Sequence, residues 1–567
     1  MEIPNPHIPF KFRPKLLDAL RGYNLNAFFS DLGAGVIVGI VALPLAMAFA
    51  IASGVKPEAG IFTAIVAGFI ISAFGGSKVQ IGGPTGAFVV IISGVVAKYG
   101  MQALLICTMM AGVMLVIMSV MKMGFVIKFI PRPVTIGFTN GIAVIIFSTQ
   151  IKDFFGLKIE NMPADFFGKM EAIFGAIGTI DWRTTLVAAI SISTILFWPV
   201  KWRKRVPGSV VALIVGTLFA ALAGLDVATI GSTFGGIPDS LPAFSMPEFK
   251  WADLQGLIVP SLTIAILAAI ESLLSAVVAD GMIEDKHDSN QELMAQGIAN
   301  IVSPLFGGIP ATGAIARTAT NVKNGAKTPI AGIIHSITLL VILLVFAPCA
   351  KYIPMSCLAA ILFVVSYNMG DWREFLVIKK MTKSDALVFI ITFALTVIFD
   401  LTIAVEVGML LAAFLFIRRI ADSTHIDAFD RQVENLENLE SLEGYNIPRG
   451  VMIFRVFGAL MFGAADKLDG VLRGNATPPK VVILRMRTVM ALDTTAINAL
   501  ERLHSKIRAT GAILLLSGTH SQPLQMIFKS GLAEIIGEEN ICQNIHIAVE
   551  RAEKLIALMD AGEIEEK

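Results

Sequence analysis

The chain has 567 residues, of which 55% are hydrophobic and 16% are charged, with a formal net charge of +1 and a mean hydropathy of +0.74. A soluble domain has about 25% charged residues, so most of this chain is not expected to face water. The sequence contains no basic surface with interleaved aromatic residues, no phosphate-binding loop and no metal-ligand spacing, so we expect no nucleic-acid partner, no ATP-driven pump, no enzyme, no metal and no cofactor.

Apolar runs fill most of the chain after a polar, basic segment at 1–25. They predict a polytopic α-helical membrane domain over 26–421, with fourteen transmembrane segments in two series of seven, at about 26–230 and 250–421. The first series lies near 31–53, 58–75, 84–97, 101–121, 131–151, 183–199 and 207–225, and the second near 255–280, 293–309, 313–323, 328–348, 354–369, 384–399 and 402–420. Lys and Arg gather in the loops after segments 4, 6, 10, 12 and 14, which predicts cytoplasmic N- and C-termini.

The character of the chain changes after the last apolar run. Residues 422–448 are polar and acidic and are interpreted as a linker, whereas 449–560 alternate between strand and helix patterns, which predicts a small α/β domain. The predicted strands are Val451–Phe457, Val481–Met486 and Ala512–Ser517, and the predicted helices are Thr495–Arg508, Ser521–Ser530 and Ile545–Leu558.

Two stretches of the membrane domain nearly repeat each other, one in each half. Gly82-Gly83-Pro84-Thr85-Gly86-Ala87 precedes segment 3, and Gly307-Gly308-Ile309-Pro310-Ala311-Thr312-Gly313-Ala314 precedes segment 10. Both segments are too short to cross a bilayer alone, so each is predicted to be a half-helix that completes its crossing with an extended stretch, 78–83 or 306–309. Paired interruptions of this kind indicate the binding site of a transporter, and the alternative is two packing kinks.

The start of each half-helix is a candidate anion site. Its first backbone N–H groups have no partner within the helix and carry a partial positive charge of about half a unit. Glycine lets the backbone approach a ligand closely, and Thr85 and Thr312 offer hydroxyl groups. The predicted anion-binding residues here are Thr85, Gly86, Ala87, Thr312, Gly313 and Ala314.

Four further residues are candidates near this site. Glu271 lies inside apolar segment 8, where a carboxylate is costly and indicates function. It could exchange a proton, which we prefer, or hold Na⁺ together with Ser275, or be structural. Arg317 could add positive charge beside the anion, or instead pair with backbone carbonyls or Glu271. Phe49 is interpreted either as a wall of the site or as packing.

The motifs together resemble the SulP (sulfate permease, solute carrier 26) family of anion transporters. The residues that carry the resemblance are Leu43-Pro44, Ala46-Met47-Ala48-Phe49-Ala50, Gly83-Pro84-Thr85, Glu271-Ser272-Leu273-Leu274, Asn290, Glu292-Leu293, Gly297, Asn300, Phe306-Gly307-Gly308, Thr312-Gly313 and Arg317-Thr318. The resemblance implies a seven-plus-seven inverted repeat divided into core and gate domains, a homodimer, and elevator-type alternating access. It also implies that Phe49, Thr85 and Thr312–Ala314 bind the anion, that Glu271 serves ion coupling, and that Arg317 is the arginine after the tenth-helix break.

Within that family the chain looks most similar to bacterial dicarboxylate-type (fumarate/succinate) members. This likeness rests on 150–154, 269–274 and 314–317. Members similar to Na⁺–bicarbonate symporters tend to carry Asp where this chain has Glu271. The resemblance therefore implies proton-coupled symport of C4-dicarboxylates or of an inorganic oxyanion such as sulfate, at a bacterial inner membrane. A Na⁺-coupled bicarbonate symporter and a sulfate/chloride exchanger are the alternatives within the family.

The C-terminal part resembles the STAS domain of the same family. Asp493-Thr494-Thr495 is similar to a phosphorylation loop in which Ala496 replaces a glycine, so Thr494 is a candidate regulatory phosphosite. A cytoplasmic protein could bind this domain. Two rival functions stay open: a nucleobase–proton symporter of the same fold, and a membrane-anchored signalling protein that does not transport.

Overall fold

The computed structural model describes residues 12–125, 131–159, 162–163, 165–199, 202, 206–240, 243–248, 254–399, 401–428, 447–461, 467–468 and 479–561. The chain forms two compact units, Met1–Ala412 and Ala413–Lys567. Most of the predicted linker, 429–446, and residues 1–11 of the predicted N-terminal segment lie outside the described residues.

The first unit contains helices at all fourteen predicted positions. In the first half of the chain these and the shorter helices are α1 Lys15–Ala19, α2 Leu25–Ala52, α3 Pro57–Phe74, α4 Val89–Val120, α5 Arg132–Phe155, α6 Phe166–Gly175, α7 Trp182–Phe197, α8 Gly208–Leu222 and α9 Ile230–Phe234. In the second half they are α10 Leu254–Ile283, α11 Ser289–Val302, α12 Ile315–Lys323, α13 Ile330–Ala350, α14 Met355–Met369, α15 Arg373–Val377, α16 Lys383–Ile398 and α17 Leu401–Ser423, which continues into the second unit. Among the described residues, seven helical spans are long and apolar enough to cross a membrane by themselves.

Helix α4 combines segments 3 and 4 of the prediction. Gly100 within it has φ 83° and ψ 176°, a conformation that no helix contains, and it divides the element into a half-helix and a full segment. Glycine adopts a positive φ at little steric cost, which explains why the chain can turn here. The predicted boundary between segments 3 and 4 therefore lies at this glycine.

Helix packing divides the first unit into two bundles. The core bundle contains α2, α3, α4, α10, α11, α12 and α13, and the gate bundle contains α5, α7, α8, α14 and α16. Corresponding helices of the two halves make corresponding contacts. Helix α2 packs on α13 as its counterpart α10 packs on α4, and α5 packs on α16 as its counterpart α14 packs on α7. The predicted repeat of two seven-segment halves is thus confirmed, and the division into core and gate agrees with the family resemblance.

The second unit is a five-stranded sheet with helices on both faces. Its strands, β3 His425–Ala428, β4 Val451–Leu460, β5 Val481–Leu492, β6 Ile513–Ser517 and β7 Ile541–Cys542, lie in that order, with β3 antiparallel and the others parallel. Its helices are α18 Thr494–Ala509, α19 Ser521–Lys529, α20 Leu532–Ile536 and α21 Ile545–Asp560. Alternate residues of β5 and β6 enter the two cores, Leu484 and Leu516 on one face and Ile483 and Leu515 on the other, as the two-residue repeat of a strand requires.

Two predicted boundaries were wrong. Residues 422–448 were predicted to be a linker, but β3 lies inside that range and pairs with β4, because the short run His425–Ala428 gains its order from the sheet edge rather than from its own pattern. The extended stretch of the second half was predicted at 306–309. Phe306 instead ends a 3-10 turn at Ser303–Phe306, and the extended backbone follows it.

Candidate functional site

The two interruptions meet as a short antiparallel ribbon inside the core bundle. Strand β1, Gly82–Gly83, pairs with β2, Thr312–Gly313, with Gly82 opposite Gly313. The N–H of Ala314 donates to the carbonyl of Ile81 at 2.8 Å. Because the strands are antiparallel, the two half-helices leave the ribbon in opposite directions, as inverted repeats require.

Buried polar side chains fix the second interruption. Asn300 on α11 binds both backbone groups of Ala311, accepting from its N–H at 2.9 Å and donating to its carbonyl at 2.8 Å. Thr63 on α3 accepts the N–H of Ile309 at 2.7 Å. Backbone groups that have left a helix are costly when unpaired in a membrane interior, and these side chains replace the missing bonds.

The first interruption is held in the same way by other residues. The Thr318 hydroxyl accepts the N–H of Ile81 at 3.0 Å, and the Asn321 amide donates to the carbonyl of Val79 at 2.9 Å. Gln80 donates to the carbonyl of Ser272 at 3.0 Å. The sequence analysis missed the roles of Gln80, Asn321 and Thr63, although a polar residue at a buried place in an apolar segment is a signal that could have indicated them.

Both half-helices begin without a capping side chain. Thr85 precedes the 3-10 turn Gly86–Phe88 and its hydroxyl caps no N–H of that turn, while Ala314 before α12 has no polar group to offer. Four backbone N–H groups of these first turns have no acceptor among the described residues. They belong to Gly86, Ala87, Ile315 and Ala316. The residues Ile315 and Ala316 are exposed, whereas Gly86 and Ala87 are buried. Uncapped amides at a helix start are suited to an anion.

The Thr85 hydroxyl is turned toward Glu271 on α10. Its Oγ1 donates to Glu271 Oε2 at 2.9 Å, and both residues are half-buried. The predicted coupling carboxylate is therefore in direct contact with the residue that begins the first half-helix. These two sequence-predicted residues, 186 positions apart in the chain, form one unit.

The Thr312 hydroxyl is used differently. It is fully buried and donates to the carbonyl of Ala268 on α10 at 3.0 Å. The expectation that this hydroxyl is available to an anion is wrong for this conformation, because its one proton is already engaged with a backbone acceptor. Thr312 instead fastens the extended segment to α10.

Arg317 lies between the two interruptions. Its side chain is buried, and its Nη2 donates to the carbonyl of Pro84 in the first interruption. Its Nη1 is enclosed without a hydrogen-bond partner among the described residues. The Arg317 charge interacts with that of Glu271. Arg317 thus binds a backbone carbonyl, which was the structural alternative in the sequence analysis. It also keeps a buried N–H group and a positive charge beside the half-helix starts.

Glycine is required where the ribbon is most crowded. A Cβ on Gly313 would lie 1.6 Å from Gln80 Nε2 and 3.1 Å from the backbone of Ser272. A Cβ on Gly86 would lie 3.2 Å from the ring of Phe49 and 2.9 Å from Ile146 of the gate bundle. Phe49 is buried and stands directly beside the first half-helix, at the place predicted for a wall of the site.

Ser275 does not present its hydroxyl toward Glu271. It is fully buried and donates to Thr318 Oγ1 at 3.2 Å, which in turn accepts the N–H of Ile81. Ser275 therefore supports the first interruption in this conformation. The described residues contain no group of three or more His, Cys, Asp or Glu side chains that could hold a metal ion.

A cavity of about 930 Å³ lies between the core and gate bundles. Its core side is formed by α2 and by Thr320 and Lys323 of α12, and its gate side by mostly apolar residues of α5, α7, α14 and the start of α8. Phe363 of α14 stacks on Phe147 of α5 with ring centroids 4.3 Å apart, which gives the gate side a packed aromatic surface. Lys323 ends α12 at the face for which the loop charges predict the cytoplasm.

Thr494 lies in the second unit at the first position of α18, where it is exposed. The side chain of Asp493 accepts the N–H of Ala496 at 2.8 Å and caps the helix. A hydroxyl at an exposed helix start is accessible to a modifying enzyme, and its phosphorylation stays a prediction.

Comparison with known proteins agrees with this architecture. Residues 28–392 match the sulfate permease family, and residues 445–548 match the STAS domain. YvdB of Bacillus subtilis, provisionally assigned as a sulfate transporter, is 46% identical over 522 residues, which cover 92% of this chain and 97% of that protein. The bicarbonate transporter BicA of Picosynechococcus is 32% identical over 457 residues, covering 77% of this chain and 79% of BicA.

Solved structures show the same fold. The transmembrane domain of a cyanobacterial bicarbonate transporter BicA matches with a TM-score of 0.61 and 30% identity, covering 69% of this chain and 98% of that domain. Murine Solute Carrier 26 family member A9, an anion transporter, matches with a TM-score of 0.83 at 18% identity, over 95% of this chain and 94% of that one. The family resemblance drawn from the motifs is confirmed, and the likeness to dicarboxylate-type members stays a prediction.

Proposed function

The chain belongs to the sulfate permease family of membrane transporters, and from this membership and the site geometry we propose that it is a secondary active anion transporter. Its substrates are C4-dicarboxylates (fumarate, succinate) or an inorganic oxyanion such as sulfate, carried in symport with protons. The observation that carries the proposal is the pair of uncapped half-helix starts, with Arg317 buried beside them.

Backbone N–H groups and one guanidinium suit an anion of either kind. The partial positive charge at each half-helix start adds to the charge of Arg317, and neither is cancelled by a capping side chain. We assign anion binding to the backbone N–H groups of Gly86, Ala87, Ile315 and Ala316, and orientation to Thr85, Phe49 and Arg317. The predicted Gly313 and Ala314 lie immediately before the second half-helix, where the N–H of Ala314 is already donated to Ile81. Thr312 holds the second interruption in position.

Proton coupling is assigned to Glu271. The carboxylate lies inside a membrane segment, where an ionised side chain is costly and protonation relieves that cost. Its hydrogen bond to Thr85, the residue that begins the first half-helix, supports this assignment. The Ser275 hydroxyl, the second group of the alternative Na⁺ site, hydrogen-bonds Thr318 and not Glu271, and we therefore prefer a proton.

The cavity between core and gate supports elevator-type alternating access. The anion site belongs to the core bundle, and an open volume against the gate bundle gives the core a surface along which to move. We place this cavity on the cytoplasmic side and propose that both termini are cytoplasmic, in a bacterial inner membrane. A homodimer and a cytoplasmic partner of the STAS domain complete the proposal, and the exposed Thr494 is the place where phosphorylation would act.

Uptake by the full chain in proteoliposomes tests the proposal. Vesicles with an acidic exterior are given labelled fumarate, succinate, sulfate, bicarbonate or chloride, with and without a protonophore. We expect accumulation of a dicarboxylate or of sulfate that the protonophore abolishes and that a Na⁺ gradient does not replace. Bicarbonate accumulation driven by Na⁺ would establish the alternative transporter, and no uptake of any anion would favour a signalling protein.

A further inference from the structure

The hydrogen bond between Thr85 and Glu271 assigns a function to the Thr85 hydroxyl that the family membership does not. We propose that Thr85 is the positioning residue through which protonation of Glu271 adds a hydrogen-bond donor to the anion site. The inference rests on the proposed proton-coupled transport and explains how the proton and the anion come to bind together.

The Thr85 hydroxyl does not cap the half-helix that follows it. A threonine before a helix commonly accepts a backbone N–H of the first turn, but Thr85 does not. Its backbone is extended, with φ −128° and ψ 160°, and its Oγ1 lies 2.9 Å from Glu271 Oε2. The helix start is left for a ligand, and the hydroxyl is directed to the carboxylate.

The single hydrogen of the Thr85 hydroxyl limits what the group can bind. A hydroxyl has one hydrogen to donate and lone pairs to accept, and an ionised carboxylate can only accept. While Glu271 is ionised, the Thr85 hydrogen is therefore hydrogen-bonded to Glu271 and is not available to an anion. When Glu271 is protonated, its own O–H can donate to Thr85 Oγ1, and the Thr85 hydrogen is released to point at an anion over the half-helix start.

The charges around Glu271 determine how its protonation changes the electrostatics of the anion site. Among the described residues, Arg317 on α12 is the charged group that acts on it, and it is held by the carbonyl of Pro84, the residue before Thr85. Glu292 on the neighbouring α11 is engaged with the N–H groups of Gly76 and Ser77. Strand β2 and the first half-helix place no ionisable side chain at Glu271. Protonation thus leaves the Arg317 charge uncompensated and available to the anion.

The released Thr85 hydrogen and the uncompensated Arg317 charge both favour binding of the anion. Protonation removes a negative charge and supplies a donor, so the anion binds the protonated protein more tightly, and by linkage the bound anion favours protonation. The second interruption cannot respond in this way, because the Thr312 hydroxyl donates to a backbone carbonyl that does not titrate.

Equilibrium binding of labelled sulfate and of labelled fumarate to the purified full chain, at pH 5.5 and pH 8.0, tests the inference. We expect the natural protein to bind one of them at least tenfold more tightly at pH 5.5. Thr85→Val should lose about tenfold in anion affinity at pH 5.5. It should lose little at pH 8.0, where the hydroxyl of the natural protein is hydrogen-bonded to ionised Glu271. Thr85→Ser, which keeps the hydroxyl, should behave as the natural protein, and Thr85→Ala replaces the valine variant if that variant does not fold.

Each outcome is decisive. An equal loss by Thr85→Val at both pH values, or a Thr85→Ser variant that matches the valine variant, would show a structural role and overturn the inference while leaving proton coupling intact. A natural protein whose affinity does not change with pH would overturn the proposed coupling itself, and the inference with it. Glu271→Gln supplies an amide donor to Thr85 and should bind at pH 8.0 as the natural protein binds at pH 5.5.

Discussion

The two interruptions are built from the same residue types, and the structure uses them differently. In the first, Thr85 is half-buried and donates to Glu271, a group that can change its charge. In the second, Thr312 is fully buried and donates to the backbone of Ala268, which cannot change. The first interruption thus contacts a titratable carboxylate, and the second contacts a backbone carbonyl that does not titrate.

The cause of the difference lies in α10. Glu271 and Ala268 are three residues apart on that helix, so they lie on neighbouring parts of one face, and each meets a threonine from a different interruption. Because α10 supplies a carboxylate to one threonine and a backbone carbonyl to the other, an inverted repeat of the backbone becomes an asymmetric site. Arg317 adds to this asymmetry, since it comes from the second half and binds the first.

The largest expected effect comes from replacing the titratable carboxylate of Glu271. Glu271→Gln should abolish accumulation driven by a proton gradient, because the amide cannot take up and release a proton. With no membrane potential, a gradient of two pH units can drive about hundredfold accumulation for each proton carried with the substrate, whereas the variant should only equilibrate its substrate. Proteoliposome uptake measures this, with Glu284→Gln in an exposed loop as the matched control. Undiminished accumulation by Glu271→Gln would remove the carboxylate from the coupling mechanism.

A second comparison concerns the glycines of the two interruptions. Gly313→Ala should destabilise the protein by about 1–3 kcal/mol, because its Cβ would displace Gln80 from Ser272 and press on the Ser272 backbone. Gly86→Ala meets side-chain atoms of Ile146, Phe49 and Met369 and no backbone among its nearest neighbours, so it should leave stability nearly unchanged and weaken anion binding by crowding the site. Thermal unfolding of the two purified variants gives the comparison. Equal melting temperatures would mean that the second interruption is no more rigid than the first.

The smallest effect is expected at Thr312. Thr312→Val should cost about 1 kcal/mol, the net worth of one hydrogen bond, and should leave the pH dependence of anion affinity as it is in the natural protein. Thr312→Ser keeps the hydroxyl and serves as the control. If Thr312→Val instead changes the ratio of affinities at pH 5.5 and pH 8.0, the second interruption responds to protonation and the contrast drawn between the two is wrong.

Much of this arrangement could be predicted from the sequence. Hydropathy gave the fourteen segments, and the Gly-Pro-Thr-Gly pattern indicated the half-helices, since both follow from local rules about apolar length and helix breaking. The direction of each threonine hydroxyl could not be predicted, because it depends on which residue of α10 lies opposite. The bonds made by Gln80, Asn321 and Thr63 are likewise tertiary, and β3 is a strand only because β4 lies beside it.

The position of the bound anion shows whether the two half-helix starts form the binding site. The full chain is crystallised with selenate or with bromofumarate, according to which of sulfate and fumarate is taken up, and the heavy atom is located by its anomalous signal. We expect a single site over the N–H groups of Gly86, Ala87, Ile315 and Ala316, beside Thr85 and Arg317. A heavy atom bound elsewhere in the membrane unit, with none at the two half-helix starts, would contradict this expectation.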